Sequence, residues 1–215
     1  MREKMIRVVI ADDHELIREG LKKVLHDEIG FQVVGEAVDG SELFAILNKS
    51  LPDIVILDIT MPGQSGLELL KQIKDLYPSL PVLILSIHSE ERFAIRSLKA
   101  GAKGYLTKSS ISEELIKAIR VITIEKRKYI TQEVAEQLAS QLSIASEPSK
   151  HSNLSDREYL VLCMIASGKK VKEIAEELSL SPQTVHSYRS RIKEKMNLKS
   201  NVEMTIYAID NHLIE

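Results

Sequence analysis

Cysteine is almost absent from this 215-residue chain. Cys163 stands alone, which excludes a disulfide framework and a cysteine-based metal centre. No apolar run approaches the ~18 residues that a membrane-spanning helix needs. The N-terminus, MREKMIRVVIADDHE, turns acidic too early for a secretory signal, so a cytoplasmic protein is expected. Neither sign of charge is in excess. A formal net charge of -2 fits neither a basic coat nor an acidic tail. What is present is 44% hydrophobic and 28% charged, the balance of a globular protein, at a length that suits one or two domains.

Up to about residue 125, short β-branched runs alternate with longer stretches of helical spacing. The runs are Arg7 to Ala11, Phe31 to Gly35, Ile54 to Leu57, Val82 to Leu85 and Gly104 to Thr107. Leu16, Leu21, Val24 and Leu25, and later Leu67, Leu70, Ile73 and Lys74, have helical spacing. Such βα repeats predict a doubly wound, five-stranded parallel sheet with helices on both faces. A short helix is expected from Thr131, its N-cap, to about Leu142. The stretch SIASEPSKHSN then has linker composition.

From Leu154 the strand pattern vanishes. Ser155 with Glu158 reads as a capping box before a first helix, which Gly168 ends. Ser181 caps a third helix with Pro182 in its first turn, and Ser200 with Glu203 reads as another box. Four helices in about 60 residues, with a tight Leu180-Ser181-Pro182 turn, fit an all-α helix-turn-helix domain. The expected division is 1–125, then a linker with a short helix at 126–152, then 153–215.

In open parallel sheets, chemistry gathers at the carboxyl ends of the strands. Asp12 and Asp13 follow the first strand, and Asp58, Ser86 and Lys108 end the third, fourth and fifth. Three carboxylates meeting there would repel one another, so a cation is expected, and an all-oxygen site suits Mg2+. Lys108 could balance a phosphoryl group, and the Ser86 hydroxyl could hydrogen-bond to its oxygens. Acids at strand ends can also simply cap helices, but five polar residues at four strand ends favour a site. Met61-Pro62-Gly63 signals a turn beside it.

Residues 6 to 125 resemble the receiver domain of two-component systems. The resemblance implies that Asp58 is the phosphoacceptor, that Asp12 and Asp13 bind Mg2+ with Asp58 and the Thr60 carbonyl, and that Lys108 contacts phosphate. It makes Ser86 the switch hydroxyl and Tyr105 the switch aromatic. Many receivers have proline after that lysine. Ser109 stands here, and a cis peptide without proline costs roughly 3 kcal/mol. Thr60 and His88, two residues after Asp58 and Ser86, match positions that flank the path of hydrolytic water and are expected to set the phosphoryl lifetime.

The stretch SPQTVHSYRSRIKEKMNLKS concentrates Arg189, Arg191, Lys193, Lys195 and Lys199 against Glu194. Such clustering suits DNA phosphates, although a charge run alone more often marks a solvated helix face. Residues 154 to 213 resemble the LuxR-type DNA-binding domain, through Leu154 to Glu158, Lys172 to Ala175, and Thr184-Val185 with Arg191. By register, His186, Ser187 and Ser190 face the major groove, Arg189, Arg191 and Lys193 would mostly grip phosphates, and Thr184 is expected to join them in binding DNA. Short Ser187 and Ser190 imply some shape readout.

The two halves together resemble the NarL/FixJ family of response regulators. That resemblance implies a switch rather than an enzyme. A sensor histidine kinase phosphorylates Asp58, the protein dimerises, and it binds promoter DNA, with RNA polymerase as a further partner. The unphosphorylated receiver would restrain the DNA-binding half. Two apolar features remain ambiguous. Tyr159, Leu160 and Cys163 form either a docking stripe or scattered surface residues. Leu115, Ile116, Ile119 and Ile122 serve either dimerisation or packing against the 131–142 helix. A phosphatase of the haloacid-dehalogenase type would need an acid at position 60, where Thr stands. An output that binds RNA or protein is disfavoured by the recognition-helix pattern.

Overall fold

The computed structural model describes residues 5–86, 90–132, 134–136, 149–211 and 213–214, with the backbone alone at 90–92 and 112. The chain forms two compact units that divide between residues 143 and 144.

The first unit alternates strand and helix: β1 (Ile6–Ala11), α1 (Glu15–His26), β2 (Phe31–Ala37), α2 (Gly40–Lys49), β3 (Ile54–Asp58), α3 (Gly66–Leu76), β4 (Val82–Ser86), α4 (Glu90–Lys99), β5 (Gly104–Thr107) and α5 (Ile111–Thr123). The strands are parallel in the order β2-β1-β3-β4-β5. The expected doubly wound sheet is therefore present, and the order reverses at β1, which lies between β2 and β3. Val8, Ile10, Ile54, Ile56, Leu83, Leu85 and Leu106 share a core with Leu21 and Leu25 of α1 and Leu115, Ile119 and Ile122 of α5. On the opposite face Val9, Val55, Leu57, Val82 and Ile84 are equally buried, with Ile46 of α2 near Val9 above Gly35. Burial on both faces explains why these strands read as continuous apolar runs rather than alternating ones.

Two apolar assignments change in three dimensions. Leu16 is 84% exposed and does not join the inward face of α1. Ile17 and Val24 pack beside Leu21 and Leu25 instead. Five residues separate Leu16 from Leu21, roughly 140° around a helix of 3.6 residues per turn. The arc of α5 is used by the sheet itself, with Ile116 packed against the same core. That core also takes in Tyr129, whose N–H donates to the Lys103 carbonyl at 2.7 Å. After it, Gln132 and residues 134–136 are helical, and the Ala135 N–H reaches the Thr131 carbonyl at 3.0 Å. Most of the expected 131–142 helix and of the linker lies outside the described residues.

The second unit contains a 3-10 turn (Lys150–Asn153), α6 (Asp156–Ala166), α7 (Val171–Glu177), α8 (Pro182–Met196) and α9 (Asn201–Asp210). Ser155 and Glu158 form the full reciprocal box, and the Ser181 hydroxyl accepts the Thr184 N–H at 3.0 Å. At Ser200 only half of the expected box forms. Its hydroxyl accepts the Glu203 N–H, but the Glu203 carboxylate accepts from Lys199 N, one residue further back than the cap. Gly168, with φ +84°, follows α6 in the left-handed conformation that favours glycine. Residues 157–166 of α6 are all buried. Tyr159, Leu160 and Cys163 are therefore not scattered surface residues, and the Tyr159 ring lies 5.8 Å from that of His151. An all-round buried helix shows no single apolar stripe, so periodicity misassigns its outer face.

Candidate functional site

The first candidate site forms where the sheet order reverses. Asp12 and Asp13 leave β1, Asp58 ends β3, and Lys108 follows β5. Lys108 Nζ lies 2.7 Å from Asp12 Oδ2 and 3.2 Å from Asp58 Oδ2, with all three side chains buried. The Thr60 hydroxyl donates to Asp58 Oδ2 at 2.6 Å, whereas the buried Asp58 Oδ1 accepts no hydrogen bond. Ser86, wholly buried, sits in register with Thr107, and its carbonyl accepts the Lys108 N–H at 2.7 Å. Tyr105, buried, lies opposite Ile84 in register. Period-two alternation puts it on the same sheet face as Ser86. The Lys108-Ser109 peptide is trans. His88 lies outside the described residues.

The loop after Asp58 is shaped by close packing. Gly66 donates to the Ile59 carbonyl at 2.8 Å, and a Cβ there would lie 2.0 Å from the Asp58 carbonyl oxygen. Only glycine lets α3 begin this close to the acid. Gly63, with φ +77°, makes the expected turn.

One ligand atom from each of Asp12, Asp13, His14 and Asp58 lies within 4.8 Å of the others. Like charges at that spacing repel by about 3–4 kcal/mol per pair at an effective dielectric near 20. Lys108 offsets only part of three negative charges. The oxygen-rich donors, and the unsatisfied Asp58 Oδ1 among them, fit a hard divalent cation. Two neighbours escaped the sequence reading. His14 places Nδ1 2.9 Å from Asp13 Oδ1 and 3.2 Å from Asp12 Oδ1, and the Arg18 guanidinium donates to the Asp12 carbonyl at 2.8 Å. Their positions directly after the acids and one turn into α1 were the available signal.

The second candidate site is one face of α8. Val185, Ile192 and Met196 point inward, while His186, Ser187, Ser190 and Arg191 are exposed. Thr184, Arg189 and Lys193 are half-buried. The Ser187 hydroxyl donates back to the Gln183 carbonyl at 3.1 Å, and the Arg191 guanidinium lies 6.0 Å from the Tyr188 ring centre. Lys195 is part of the scaffold, since its Nζ bonds Glu158 at 2.7 Å. Burial pushes the Glu158 carboxyl up. The Lys195 ammonium and the Ser155 N–H and hydroxyl outweigh burial and hold it below the usual carboxylate range.

Comparison with known proteins agrees with both halves. Residues 8–120 match the response regulator receiver domain, and residues 152–208 match the luxR family of bacterial regulatory proteins. The chain is 39% identical to the response regulator UvrY of Escherichia coli (strain K12) over 97% of this chain and 96% of that protein. It is 37% identical to the response regulator GacA of Pseudomonas aeruginosa over 98% and 99%. A structure of RcsB from Salmonella enterica serovar Typhimurium, bound to promoter P1flhDC with the phosphomimetic BeF3-, superposes with a TM-score of 0.59 at 28% identity, covering 94% of this chain and 97% of that one. With both domains matched in order and relatives aligned nearly end to end, the chain belongs to the NarL/FixJ family of response regulators, transcription regulators that join a receiver to a LuxR-type DNA-binding domain.

Proposed function

We propose that a sensor histidine kinase phosphorylates this protein on Asp58, and that phosphorylation lets it dimerise and bind promoter DNA. The observation that carries this reading is the buried Asp58, with one oxygen held by Thr60 and Lys108 and the other free of protein donors. The free oxygen attacks phosphorus, the bond from phosphorus to the kinase imidazole breaks, and an acyl phosphate forms on Asp58. Asp12, Asp13 and Asp58, with the Thr60 main-chain carbonyl, would hold Mg2+, which neutralises phosphoryl charge when bound. Lys108, freed from the Asp58 carboxylate, pairs with a phosphoryl oxygen. The Ser86 hydroxyl turns toward the same group, and Tyr105, on the same face, follows it. The protein is a switch, not an enzyme, that acts in the cytoplasm.

We assign the receiver to residues 1–125, a linker with a short helix to 126–152 and the DNA-binding domain to 153–215. On α8, His186, Ser187 and Ser190, with Thr184 at the helix start, would read the major groove. Arg189, Arg191 and Lys193 would contact phosphates. Val202, Ile206 and Ile209 leave an exposed apolar row at i, i+4 and i+7 along α9, which supports pairing of two copies. The relative RcsB has been solved as dimers on DNA. RNA polymerase is the proposed downstream partner.

Incubation of the full-length protein with Mg2+ and a small phosphodonor tests the reading. Wild type should acquire label that hydroxylamine removes, Asp58→Asn should acquire none, and only labelled protein should hold duplex DNA tightly. Label that persists in Asp58→Asn, or equal DNA affinity with and without phosphate, refutes it.

A further inference from the structure

Asp12 is tied to β2 at both of its backbone polar groups. Its N–H donates directly to the Ala37 carbonyl at 3.1 Å. Its carbonyl accepts Nη1 of Arg18 at 2.8 Å, and Arg18 Nε lies 3.5 Å from Glu36 Oε2 on the same strand. Arg18 is only 13% exposed, so its charge is spent on these two partners rather than on water. Only Nη1 makes a hydrogen bond here; the buried Nε donates none and is paired with Glu36 by charge alone. Glu36 is itself fixed by Lys22 Nζ at 2.9 Å. The two anchors hold the peptide that carries Asp12, and the following Asp13, against the end of the sheet.

We propose that Arg18, braced by Glu36, is a positioning residue for the cation-binding acids. It touches neither cation nor phosphoryl group. It sets where Asp12 and Asp13 stand before a cation arrives. The inference rests on the magnesium reading given above. Groups that orient metal ligands typically contribute roughly 10- to 100-fold to metal affinity. Loss of Arg18 would leave the Asp12 carbonyl without its charged donor and free the loop to drift, so that cation binding would have to order it.

The test uses full-length protein and two readouts: Mn2+ binding followed by electron paramagnetic resonance, and the Mg2+ dependence of labelling by a small phosphodonor. Arg18→Ala should weaken Mn2+ binding, and raise the half-saturating Mg2+ concentration, by roughly tenfold. The labelling rate at saturating Mg2+ should stay within about twofold of wild type. Arg18→Lys should recover part of the affinity, because one ammonium can reach the Asp12 carbonyl but cannot span to Glu36. Glu36→Gln should show a smaller loss of the same kind. Unchanged affinity in Arg18→Ala, in a protein whose Asp13→Ala variant loses Mn2+, overturns the inference alone. A lower maximal rate with unchanged affinity also overturns it. If Asp13→Ala binds Mn2+ as wild type does, the magnesium reading falls and this inference falls with it. Should Arg18→Ala not fold, wild-type affinity in both Arg18→Lys and Glu36→Gln is the overturning result.

Discussion

Asp12, Asp58 and Lys108 come from three separate strand ends and meet in a buried cluster, whereas the residues proposed for DNA contact lie within the single helix α8. The receiver site is convergent, charged and enclosed. The helix face is contiguous, basic and open to solvent. Charges held apart from water interact strongly and tolerate little displacement. Exposed charges on one helix act almost independently and are screened by salt. One region should therefore fail all at once, and the other by degrees.

The largest expected effect comes from a residue that bears no functional group. Gly66→Ala puts a methyl group 2.0 Å from the Asp58 carbonyl oxygen, so α3 must shift and Asp58 with it. Stability should fall by about 3 kcal/mol, and labelling of Asp58 by roughly 100-fold, the scale of a 1 Å misplacement. Denaturant unfolding and labelling rates measure both. Ser190→Ala, on the exposed face of α8, should change stability by less than about 0.5 kcal/mol. Wild-type labelling in Gly66→Ala would break the contrast.

Arg191→Ala comes next. It should weaken binding to every duplex and reduce the salt slope by about one unit. His186→Ala and Ser187→Ala should instead alter which sequences are preferred. Binding titrations at several salt concentrations against random and selected duplexes separate the two. The opposite outcome would place Arg191 on base edges.

A smaller effect concerns the Glu158–Lys195 pair, whose lysine belongs to the basic run in sequence but to the scaffold in space. Because Glu158 is held below its ordinary value near 4.5, its contribution to stability is present above that pH and fades as pH falls through the lowered value. Lys195→Met should cost about 1 kcal/mol at pH 7, and acid unfolding should begin at higher pH. Circular dichroism melts from pH 7 to pH 3 follow this. Non-specific DNA affinity should stay within about twofold. A loss as large as that of Arg191→Ala would add Lys195 to the DNA-contacting set.

The smallest expected effect is kinetic. The Thr60 hydroxyl bonds Asp58 directly, so Thr60→Val should alter the half-life of the phosphorylated protein by more than twofold, a barrier change above ~0.4 kcal/mol. A half-life within twofold of wild type would leave this hydroxyl without a kinetic role.

The same contrast explains what could be read in advance. Asp12, Asp58 and Lys108 were legible as a cluster because parallel topology sends every strand end to one edge, so marking the ends of apolar runs was enough. Ser181 with Pro182 marked the start of α8, and the helical register placed His186, Ser187 and Ser190 on its exposed face. Arg18 and Gly66 were not legible. Arg18 acts through a backbone carbonyl, and its only signal was its place one turn into α1; Gly66 acts through the absence of a side chain and left none.

Order of elements, strand-end acids and helix caps are local properties, set by neighbours a few residues away, and the amino-acid sequence by itself determined them. Leu16, Lys195 and Tyr159 show what it did not determine. Leu16 has the composition of a core residue, but its angular position on α1 leaves it 84% exposed. Lys195 belongs to a run of DNA-seeking charge but lies beside buried Glu158. Tyr159 stood on an apparent outer stripe but is buried beside His151. Each outcome depends on which element lies across from the residue, and only the tertiary structure decides that, because burial and pairing are properties of distance in space rather than along the chain.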